Sequence, residues 1–579
     1  MLNDLVAPNR WARLFLVALA TTALSLFVAA CGDDDESGDT ASNTSTDTGD
    51  LIEGGEMQLA QTSQPDFLDP ALSYTVNGWE AMWIVYTPLL TYAHEEGPAQ
   101  LIPGLAEDLP EVSEDGKTYT LTLRDGLTYS DGQDVIASDF EHTMKRVLNL
   151  ESGGSAFYLG IEGAEDYVKA GDPEGDISGI ETDDETGEIT ITLVEPQGDF
   201  SNILAMNFAG MVPSDTPFEN MTEDPAPGVG AYVITESVPN RQFVMERRED
   251  FADLGIPDIP PGHVDTLTTS IVKDQSAQSQ DVLDNELDYM QDPPTADLKP
   301  TVNAAVGPEG TEPQRYEEFT TSSTYYMFMN HRVAPFDDPA VREAVNIGLD
   351  KVALARLFAG ELAPGCSFLP PGFPGYDEAL DVADCPWGDP NAAPDIETAR
   401  QMIEDAGVAG EKVIVWGNND DPTDKVTEAY AAQLNDLGFD AEPRIIDGGV
   451  YFQTIGNQKT AAQTGFANWF SDYPHPLNFY FLIEGRSIQE TNNQNYGNVD
   501  DPEVNDTVEA LRLEPDVEAV ADQWADLDRY VVENALMAPY GHRKLATFVS
   551  ERVNFDGVIQ HALYYNDYSS FQLKAEGSE

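Results

Sequence analysis

A strand–helix–strand unit in the second half of the chain constrains the fold more than any other stretch. Residues 412–416 form a short apolar strand, a helix begins at Thr423 or Asp424 and ends near Gly438, and residues 439–446 resume a strand. Two strands joined by one helix normally lie parallel in the same sheet. Strands and helices also alternate elsewhere, so the pattern predicts an α/β fold with mixed sheets flanked by helices.

The first half of the chain carries the signals of a hairpin followed by a helix. Residues 118–123 alternate polar and apolar side chains, as a half-buried strand does. A turn at residues 125–126 and a return strand at 127–129 complete the predicted hairpin. Ser138, followed three residues later by Glu141, is typical of a capping box, so a helix is predicted to begin there.

Three further element boundaries are marked by turn and capping residues. A second hairpin is predicted around Thr186-Gly187, because apolar and polar residues alternate directly after it. Asp338 followed by Pro339 predicts the start of one helix. Asp395 predicts the start of another, which should end near Gly407.

Length and charge narrow the class of protein. The chain has 579 residues, more than one ordinary core holds, so two or three lobes are expected. Asp and Glu number 104 and Lys and Arg number 29, which gives a net charge of −75. Such a chain repels phosphate backbones, which excludes nucleic acid as a partner. The acidity either keeps the surface soluble at high salt or reflects lineage alone, and both interpretations stay open.

The N-terminus has the architecture of a secretory signal peptide over residues 1–30. Arg10 and Arg13 precede an apolar run that ends in small residues before Cys31. A cysteine in this place resembles the bacterial lipobox, which implies that Cys31 carries lipid and becomes the mature N-terminus. The alternative is an uncleaved membrane anchor, although the run is short for a full span. Residues 31–50 are rich in Asp, Ser, Thr and Gly and predict a flexible acidic tether.

Two cysteines, Cys366 and Cys385, follow the tether. Outside the cytoplasm such a pair predicts one disulfide, here closing a surface loop rich in Pro and Gly. A metal-binding or catalytic role has little support, because the sequence near them contains no His. We therefore expect no metal and no cofactor.

Several short motifs follow one another along the chain. They are Leu68-Asp69-Pro70, Leu101-Ile102-Pro103-Gly104-Leu105-Ala106, Asp115-Gly116-Lys117-Thr118-Tyr119-Thr120, Leu123-Arg124-Asp125-Gly126, Ser130-Asp131-Gly132, Asp139-Phe140, Pro227-Gly228-Val229-Gly230-Ala231-Tyr232, Met329-Asn330-His331, Asp338-Pro339-Ala340-Val341-Arg342-Glu343-Ala344 and Trp469-Phe470-Ser471-Asp472-Tyr473-Pro474-His475-Pro476. In this order they resemble the extracytoplasmic solute-binding proteins of peptide/nickel-type ABC importers, which include dipeptide- and oligopeptide-binding proteins. Val229 and Ala231 replace the usual Thr and Pro, and His475 replaces an acidic residue.

The resemblance implies a two-lobed flytrap of the periplasmic-binding-protein type (type II, in the large peptide-binder class with an extra subdomain). Its expected limits are 51–90, 211–318 and 546–579 for lobe I, 91–210 for the extra subdomain and 319–545 for lobe II. It also implies a monomer that gives its ligand to the transmembrane subunits of a permease, whose ATPase is a separate chain. The protein would be anchored by lipid to the outer face of the cell membrane.

The resemblance also implies where a peptide ligand binds. In oligopeptide binders of this family, the Asp of a Trp-x-x-Asp-Tyr motif binds the ligand's α-amino group, and that Asp is Asp472 here. The backbone of Asn468, Trp469 and Phe470 would pair with the extended peptide, with Trp469 as a wall. The alternatives are that Asp472 only caps a turn and that Trp469 belongs to the core.

Four more residues are candidates for ligand contact. Tyr74, Asn77 and Trp79 match a ligand-lining segment of the family loosely. His475 would contact ligand or a metal chelate, and its alternative role is structural, because no second His is placed to complete a metal site.

Other functions stay open at the level of sequence. The same fold can bind a sugar, an opine or a metal chelate, and it can serve as a sensor or adhesin without transport. A secreted hydrolase is the rival from another class. The sequence contains no Gly-x-Ser-x-Gly and no His-Glu-x-x-His motif, whereas a glycosidase carboxylate pair is compatible with the acidic composition. We therefore expect a binding protein and not an enzyme.

Overall fold

The computed structural model describes residues 51–575, apart from residues 98, 151, 296, 308–313, 562 and 564–565. The predicted signal peptide (1–30), the lipidated Cys31 and the tether (31–50) lie outside the described residues. Within the described part of the chain, we find no helix long and apolar enough to cross a bilayer.

The described residues form the following strands, numbered in chain order. They are β1 (Leu51–Ile52), β2 (Glu56–Gln61), β3 (Leu90–Tyr92), β4 (Leu101–Pro103), β5 (Glu111–Val112), β6 (Thr118–Thr122), β7 (Ile180–Asp183), β8 (Glu188–Thr192), β9 (Tyr232–Val238), β10 (Gln242–Arg247), β11 (Thr266–Ile271), β12 (Tyr289–Met290), β13 (Tyr316–Thr320), β14 (Ser323–Met329), β15 (Leu362–Pro364), β16 (Lys412–Asn418), β17 (Asp440–Ile446), β18 (Thr464–Phe470), β19 (Ala538–Phe548) and β20 (Leu573–Lys574).

The helices are numbered in the same way. They are α1 (Val76–Val85), α2 (Ser138–Asn149), α3 (Ser155–Tyr158), α4 (Ala164–Ala170), α5 (Phe200–Ile203), α6 (Gln275–Leu283), α7 (Lys299–Val306), α8 (Pro339–Gly348), α9 (Lys351–Leu357), α10 (Glu378–Val382), α11 (Ile396–Asp405), α12 (Thr423–Leu437), α13 (Gly448–Ile455), α14 (Leu477–Tyr480), α15 (Pro502–Leu511) and α16 (Ala521–Glu533).

Three sheets carry most of the strands. A five-stranded sheet has the order β12-β2-β11-β10-β9, and a four-stranded sheet has the order β5-β6-β8-β7. A seven-stranded sheet has the order β13-β19-β14-β18-β16-β17, with β15 paired to β19. Parallel and antiparallel pairs occur together, since β11 runs parallel to β2 and antiparallel to β10. The α/β class with mixed sheets and flanking helices is therefore confirmed, whereas the limits expected for the lobes stay a prediction.

The strand–helix–strand unit of the second half is confirmed. β16 and β17 lie parallel, and α12 connects them and ends at Gly438, whose φ of 109° suits a residue without a side chain. The two predicted helix starts are confirmed as well. The Asp338 side chain accepts a hydrogen bond from the Ala340 N–H, and the Asp395 side chain accepts one from the Thr398 N–H.

The hairpin predicted over residues 118–129 is wrong in its second half. The structure has the strand β6, but residues 127–129 form no strand, and β6 pairs with β5 and β8 instead. In this register Tyr119 lies opposite Ile191. Pairing with the distant strand β8 is favoured because it places apolar side chains of β6 and β8 on one buried face. The second hairpin, between β7 and β8, is confirmed.

The predicted capping box at Ser138 is also wrong. Ser138 lies inside the first turn of α2, the N-cap residue is Ala137, and the helix start has no side-chain cap. The Ser138 hydroxyl instead donates to the Asp184 carboxylate at 3.0 Å. This bond ties the helix to the turn between β7 and β8, so a contact distant in sequence replaces the local cap.

The structure joins Cys366 to Cys385 in a disulfide. Both cysteines are buried and pack with Leu380 and Val532. The loop between them is therefore less superficial than we expected, because both of its ends are buried in this small apolar cluster.

Two large hydrophobic cores divide the described residues. One packs the five-stranded and four-stranded sheets together with their helices, and the other packs around the seven-stranded sheet. Tyr473 is an exception to this division. It follows the last residue of β18 by three positions, yet its side chain belongs to the first core.

Candidate functional site

A cleft of about 610 Å³ lies between the N-terminal end of α1 and the end of β18. Its lining residues are Tyr74, Thr75, Val76, Asn77, Trp79, Phe452, Asn468, Trp469, Phe470, Asp472, Gln494 and Tyr496. A second cavity of about 400 Å³ shares Val76, Phe452, Asn468 and Phe470 with it, so the space continues across the seven-stranded sheet. Volumes of this size suit a small ligand of several residues.

Seven of the eight residues predicted from the sequence line this one cleft. Tyr74, Asn77 and Trp79 approach from the side of α1, whereas Asn468, Trp469, Phe470 and Asp472 approach from β18 and the residues after it. Segments almost 400 residues apart in the chain therefore meet around one space.

Asp472 is the buried charge of the cleft, with 6% of its surface exposed. Its Oδ1 accepts a hydrogen bond from the Tyr74 hydroxyl at 2.9 Å, and its Oδ2 accepts one from Asn478 Nδ2 at 2.9 Å. Burial raises the pKa of Asp472 to about 6, against the opposing effect of these two hydrogen bonds. The carboxylate is therefore held in place but lacks a cationic partner among the described residues.

The backbone of β18 turns one edge towards the cleft. The Ser471 N–H donates to the Ser322 carbonyl at 2.9 Å, and the Gln463 carbonyl accepts from the Asn330 N–H at 2.9 Å. The backbone N–H and C=O groups of odd-numbered residues in this segment therefore point towards β14. Because backbone groups alternate in an antiparallel pair, the N–H and C=O of Asn468 face the other side. β16 pairs with β18 at Thr464 and Gly465, and Asn468 lies beyond these pairs, beside the cleft.

Aromatic side chains form the walls. Tyr74 stacks on Trp79, with ring centroids 5.9 Å apart, and the Trp79 indole N–H donates to the Ser73 carbonyl at 2.7 Å. Trp469 is half-buried, its indole N–H donates to Asn478 Oδ1 at 3.2 Å, and its ring meets Phe481 edge-on. Trp469 is therefore both a wall of the cleft and a part of the packing behind it.

The eighth predicted residue, His475, lies outside the lining of both cavities. It is buried, its Nδ1 accepts a hydrogen bond from the Leu477 N–H at 3.1 Å, and its ring meets Trp524 edge-on. Burial lowers the pKa of His475 to about 4, so the ring is neutral. These contacts favour the alternative, structural role of His475, because its ring packs on Trp524 and its Nδ1 binds the backbone of the turn before α14.

Five lining residues were not among the predicted ones: Thr75, Val76, Phe452, Gln494 and Tyr496. Phe452 lies on α13, which is rich in apolar residues, and is 37% exposed. Single exposed apolar residues are common on protein surfaces, so Phe452 gives no distinctive signal in the sequence. Gln494 and Tyr496 lie in an irregular segment and give no signal either.

A second set of contacts bridges the two cores away from the cleft. The Tyr473 hydroxyl donates to Asp199 Oδ2 at 2.6 Å, and both residues are buried. The Gly198 N–H donates to the Arg512 carbonyl at 2.8 Å. We call these two hydrogen bonds the latch. A Cβ on Gly198 would lie 2.6 Å from the Glu514 carbonyl oxygen, so the close approach requires glycine.

We expect Gly198→Ala to weaken ligand binding although Gly198 does not line the cleft. The added methyl group prevents the latch from closing fully, so the closed form loses stability relative to the open form and the affinity falls by about three- to tenfold. Calorimetry and small-angle scattering of the liganded protein measure this, and scattering should show a larger radius of gyration. Gly160→Ala is the matched control, since its Cβ would meet nothing closer than 3.4 Å. Equal affinities for the two variants would contradict the role of the latch.

Comparison with solved structures establishes the fold. The protein named clavulanic acid biosynthesis oligopeptide binding protein 2 superposes with a TM-score of 0.81 at 26% identity, covering 90% of this chain and 96% of that chain. DppA of Helicobacter pylori, in complex with peptide STSA, superposes with a TM-score of 0.68 at 18% identity, covering 90% and 99%. The fold is therefore that of the two-lobed periplasmic binding proteins.

Residues 100–489, more than half of the chain, match the model of bacterial extracellular solute-binding proteins, family 5 Middle, and the chain belongs to this family. The family comprises binding proteins and not enzymes. The dipeptide-binding protein DppE of Bacillus subtilis (strain 168) is 22% identical over 560 residues, which cover 94% of this chain and 96% of that protein.

Proposed function

We propose that this chain is the substrate-binding lipoprotein of an ABC importer and that it captures di- or oligopeptides outside the membrane for delivery to the permease. One observation supports this most directly. The cleft combines a buried carboxylate, the outward-facing backbone of a strand and aromatic walls. These match the parts that all peptides share, namely a terminal ammonium, a chain of amide groups and side chains of varied shape.

Asp472 binds the α-ammonium group of the peptide. A charge-assisted hydrogen bond in a site shielded from water contributes about 1.5–3 kcal/mol. Tyr74 and Asn478 hold the carboxylate in place before ligand arrives. The backbone N–H and C=O of Asn468 pair with the peptide backbone in the manner of an added strand.

Closure of the two lobes completes the site. The ligand contacts both sides of the cleft and therefore stabilises the closed form by its higher affinity for that form. The permease subunits then receive the closed, loaded protein, while the ATPase acts as a separate chain. Lipid on Cys31 keeps the binding protein, a monomer, at the outer face of the cell membrane. The names of relatives, a dipeptide-binding and an oligopeptide-binding protein, support this assignment.

Native mass spectrometry of the purified protein tests the proposal directly. We expect a co-purifying peptide, and we expect peptides with a free amino group to raise the melting temperature more than the same peptides with an N-acetyl group. The peptide should be recovered intact. A cleaved peptide, or stabilisation by a sugar panel and by no peptide, would contradict the proposed function.

The affinity for free-amine peptides should depend on pH through Asp472. Burial raises its pKa to about 6 in the ligand-free protein, and an ammonium ligand binds the ionised form. Binding therefore releases a proton below pH 6, and the affinity should fall about tenfold between pH 7 and pH 5. The free energy of unfolding of the ligand-free protein changes in the opposite direction. The raised pKa of Asp472 stabilises the fold at low pH, and this stabilisation is lost as the pH rises from about 4 through 6. Calorimetry at pH 5, 6 and 7 measures the profile, and a flat profile would refute it.

A further inference from the structure

A small chamber lies beside Asp472 and adjoins the main cleft. It has a volume of about 30 Å³, and Trp79 and Asp472 line both spaces. The other polar residues of the chamber are Glu80, Trp83, Asn207, His561 and Asn566, together with Tyr92. By the usual volume of one probe sphere, the chamber holds roughly two water-sized groups.

Three buried polar atoms of the chamber walls have no hydrogen-bond partner among the described residues. They are Trp83 Nε1, Asn207 Oδ1 and His561 Nε2. Asn207 is only 5% exposed, so its carboxamide has little access to bulk water. Buried polar groups are nearly always paired in native proteins. Three unpaired groups around one space therefore point to a bound polar group.

The elements that carry these atoms explain how they converge. Trp79 and Trp83 lie four residues apart on α1 and so share one face of that helix. Asn207 begins a short 3₁₀-helix, Asn207–Ala209, that packs against α1. The carboxyl group of Glu80 already accepts hydrogen bonds from Tyr568 and Gln291, so it is not one of the unpaired groups.

We propose that this chamber binds the side chain of the first residue of the peptide and selects a small side chain with a hydroxyl group. This inference rests on the proposed function, because it requires the α-ammonium on Asp472. The Cβ of that first residue then lies one bond beyond the Cα attached to the ammonium. The first side chain is thus the ligand group that can enter the chamber next to Asp472.

The chemistry of the walls determines the selection. A hydroxyl group donates one hydrogen bond and accepts others, so it can accept from the Trp83 indole N–H and donate to Asn207 Oδ1. A methyl group of the same size leaves both atoms unpaired. A site built to hydrogen-bond a hydroxyl discriminates strongly against its apolar analogue. Long or aromatic side chains are excluded, because the chamber has room for only about two water-sized groups.

Thr and Val have nearly the same shape and differ in one hydroxyl group, so they give a matched pair of ligands. We expect tripeptides that begin with Thr to bind about tenfold more tightly than the same tripeptides that begin with Val. Calorimetry with both peptides measures the ratio on the unmodified full chain. Tripeptides that begin with Ser should resemble those with Thr, and tripeptides that begin with Phe should bind more weakly than either.

Asn207→Leu tests the assignment of the chamber. The substitution keeps the size of the side chain and removes the carboxamide, so the Thr-to-Val ratio should fall to about one or invert. Asn149→Leu, on α2 and outside the chamber, is the matched control and should keep the native ratio. Trp83→Phe, which removes the other unpaired group, gives an independent second variant if Asn207→Leu does not fold.

The outcomes separate the two proposals. Equal affinities for Thr-first and Val-first peptides in the native protein would overturn the chamber proposal and indicate that the chamber holds water only. A native ratio that persists in both Asn207→Leu and Trp83→Phe would overturn it as well. If no free-amine peptide binds at all, the proposed function itself fails, and the chamber proposal fails with it.

Discussion

Asp472→Ala is expected to lower the affinity for peptides with a free amino group by about ten- to a hundredfold. The expected loss corresponds to one charge-assisted hydrogen bond of about 1.5–3 kcal/mol in a site shielded from water. Asp472 is buried beside the cleft, and its carboxylate has neutral partners in Tyr74 and Asn478. The ammonium of the ligand would supply the missing positive charge. Isothermal titration with one peptide in free and N-acetylated form measures the effect.

The N-acetylated peptide is the internal control for this experiment. It has no charge at its terminus, so its weaker affinity should change little between the native protein and Asp472→Ala. Asp472→Asn is the matched variant, since it keeps the shape and the hydrogen bond to Tyr74 while removing the charge. We expect it to behave like Asp472→Ala towards the free-amine peptide. If both peptides lost affinity equally, Asp472 would act through the structure of the turn and not through the amine.

Asp69→Ala is expected to destabilise the fold by about 3–5 kcal/mol, the usual cost of removing one partner of a buried ion pair. Arg146 donates two hydrogen bonds to the carboxylate of Asp69, at 3.2 and 2.8 Å, and both side chains are fully buried. Arg146 also donates to the carbonyls of Pro217 and Glu219. Without Asp69 its charge stays buried with neutral partners. Urea denaturation followed by far-UV circular dichroism measures the change.

The double variant Asp69→Val/Arg146→Met distinguishes the ion pair from packing alone. Replacing both charges by apolar groups removes the unpaired charge, so the double variant should be more stable than Asp69→Ala. The exposed pair Lys169–Glu165 provides the surface comparison. Glu165→Ala should leave the denaturation midpoint close to that of the native protein. If the double variant were less stable than Asp69→Ala, the cost of Asp69→Ala would not come from the unpaired charge of Arg146.

Local signals in the sequence predicted those elements whose partners are also local. The unit β16–α12–β17 and the caps at Asp338 and Asp395 depend on residues within one or two turns, and all of them are confirmed. The partner of β6 could not be predicted in this way. The nearby residues 127–129 and the distant strand β8 both offer apolar residues, and only the packing of the complete core favours β8.

The residues of the candidate site also differ in whether the sequence predicts them: those of one local motif are predicted, and those brought in by tertiary packing are not. Asn468, Trp469, Phe470 and Asp472 lie within five consecutive residues, so the sequence alone predicts that they meet at one site. Asn207 belongs to the chamber only because its short helix packs against α1, and no periodicity in the sequence marks such a contact. A side chain that the tertiary fold brings to a site gives no local signal.

The adjacency of Asp472 and Tyr473 has a kinetic consequence. Asp472 lines the cleft, whereas Tyr473 inserts its ring into the core of the five-stranded and four-stranded sheets and donates a hydrogen bond to Asp199. Withdrawal of Tyr473 from that core would move the adjacent carboxylate of Asp472. If Asp472 binds the ligand as proposed, we expect the ligand to leave as the lobes separate. The residence time of a bound molecule should then be governed by how fast Tyr473 undocks. A permease that displaced residues 472–473 would release the ligand without competing with the binding protein for it.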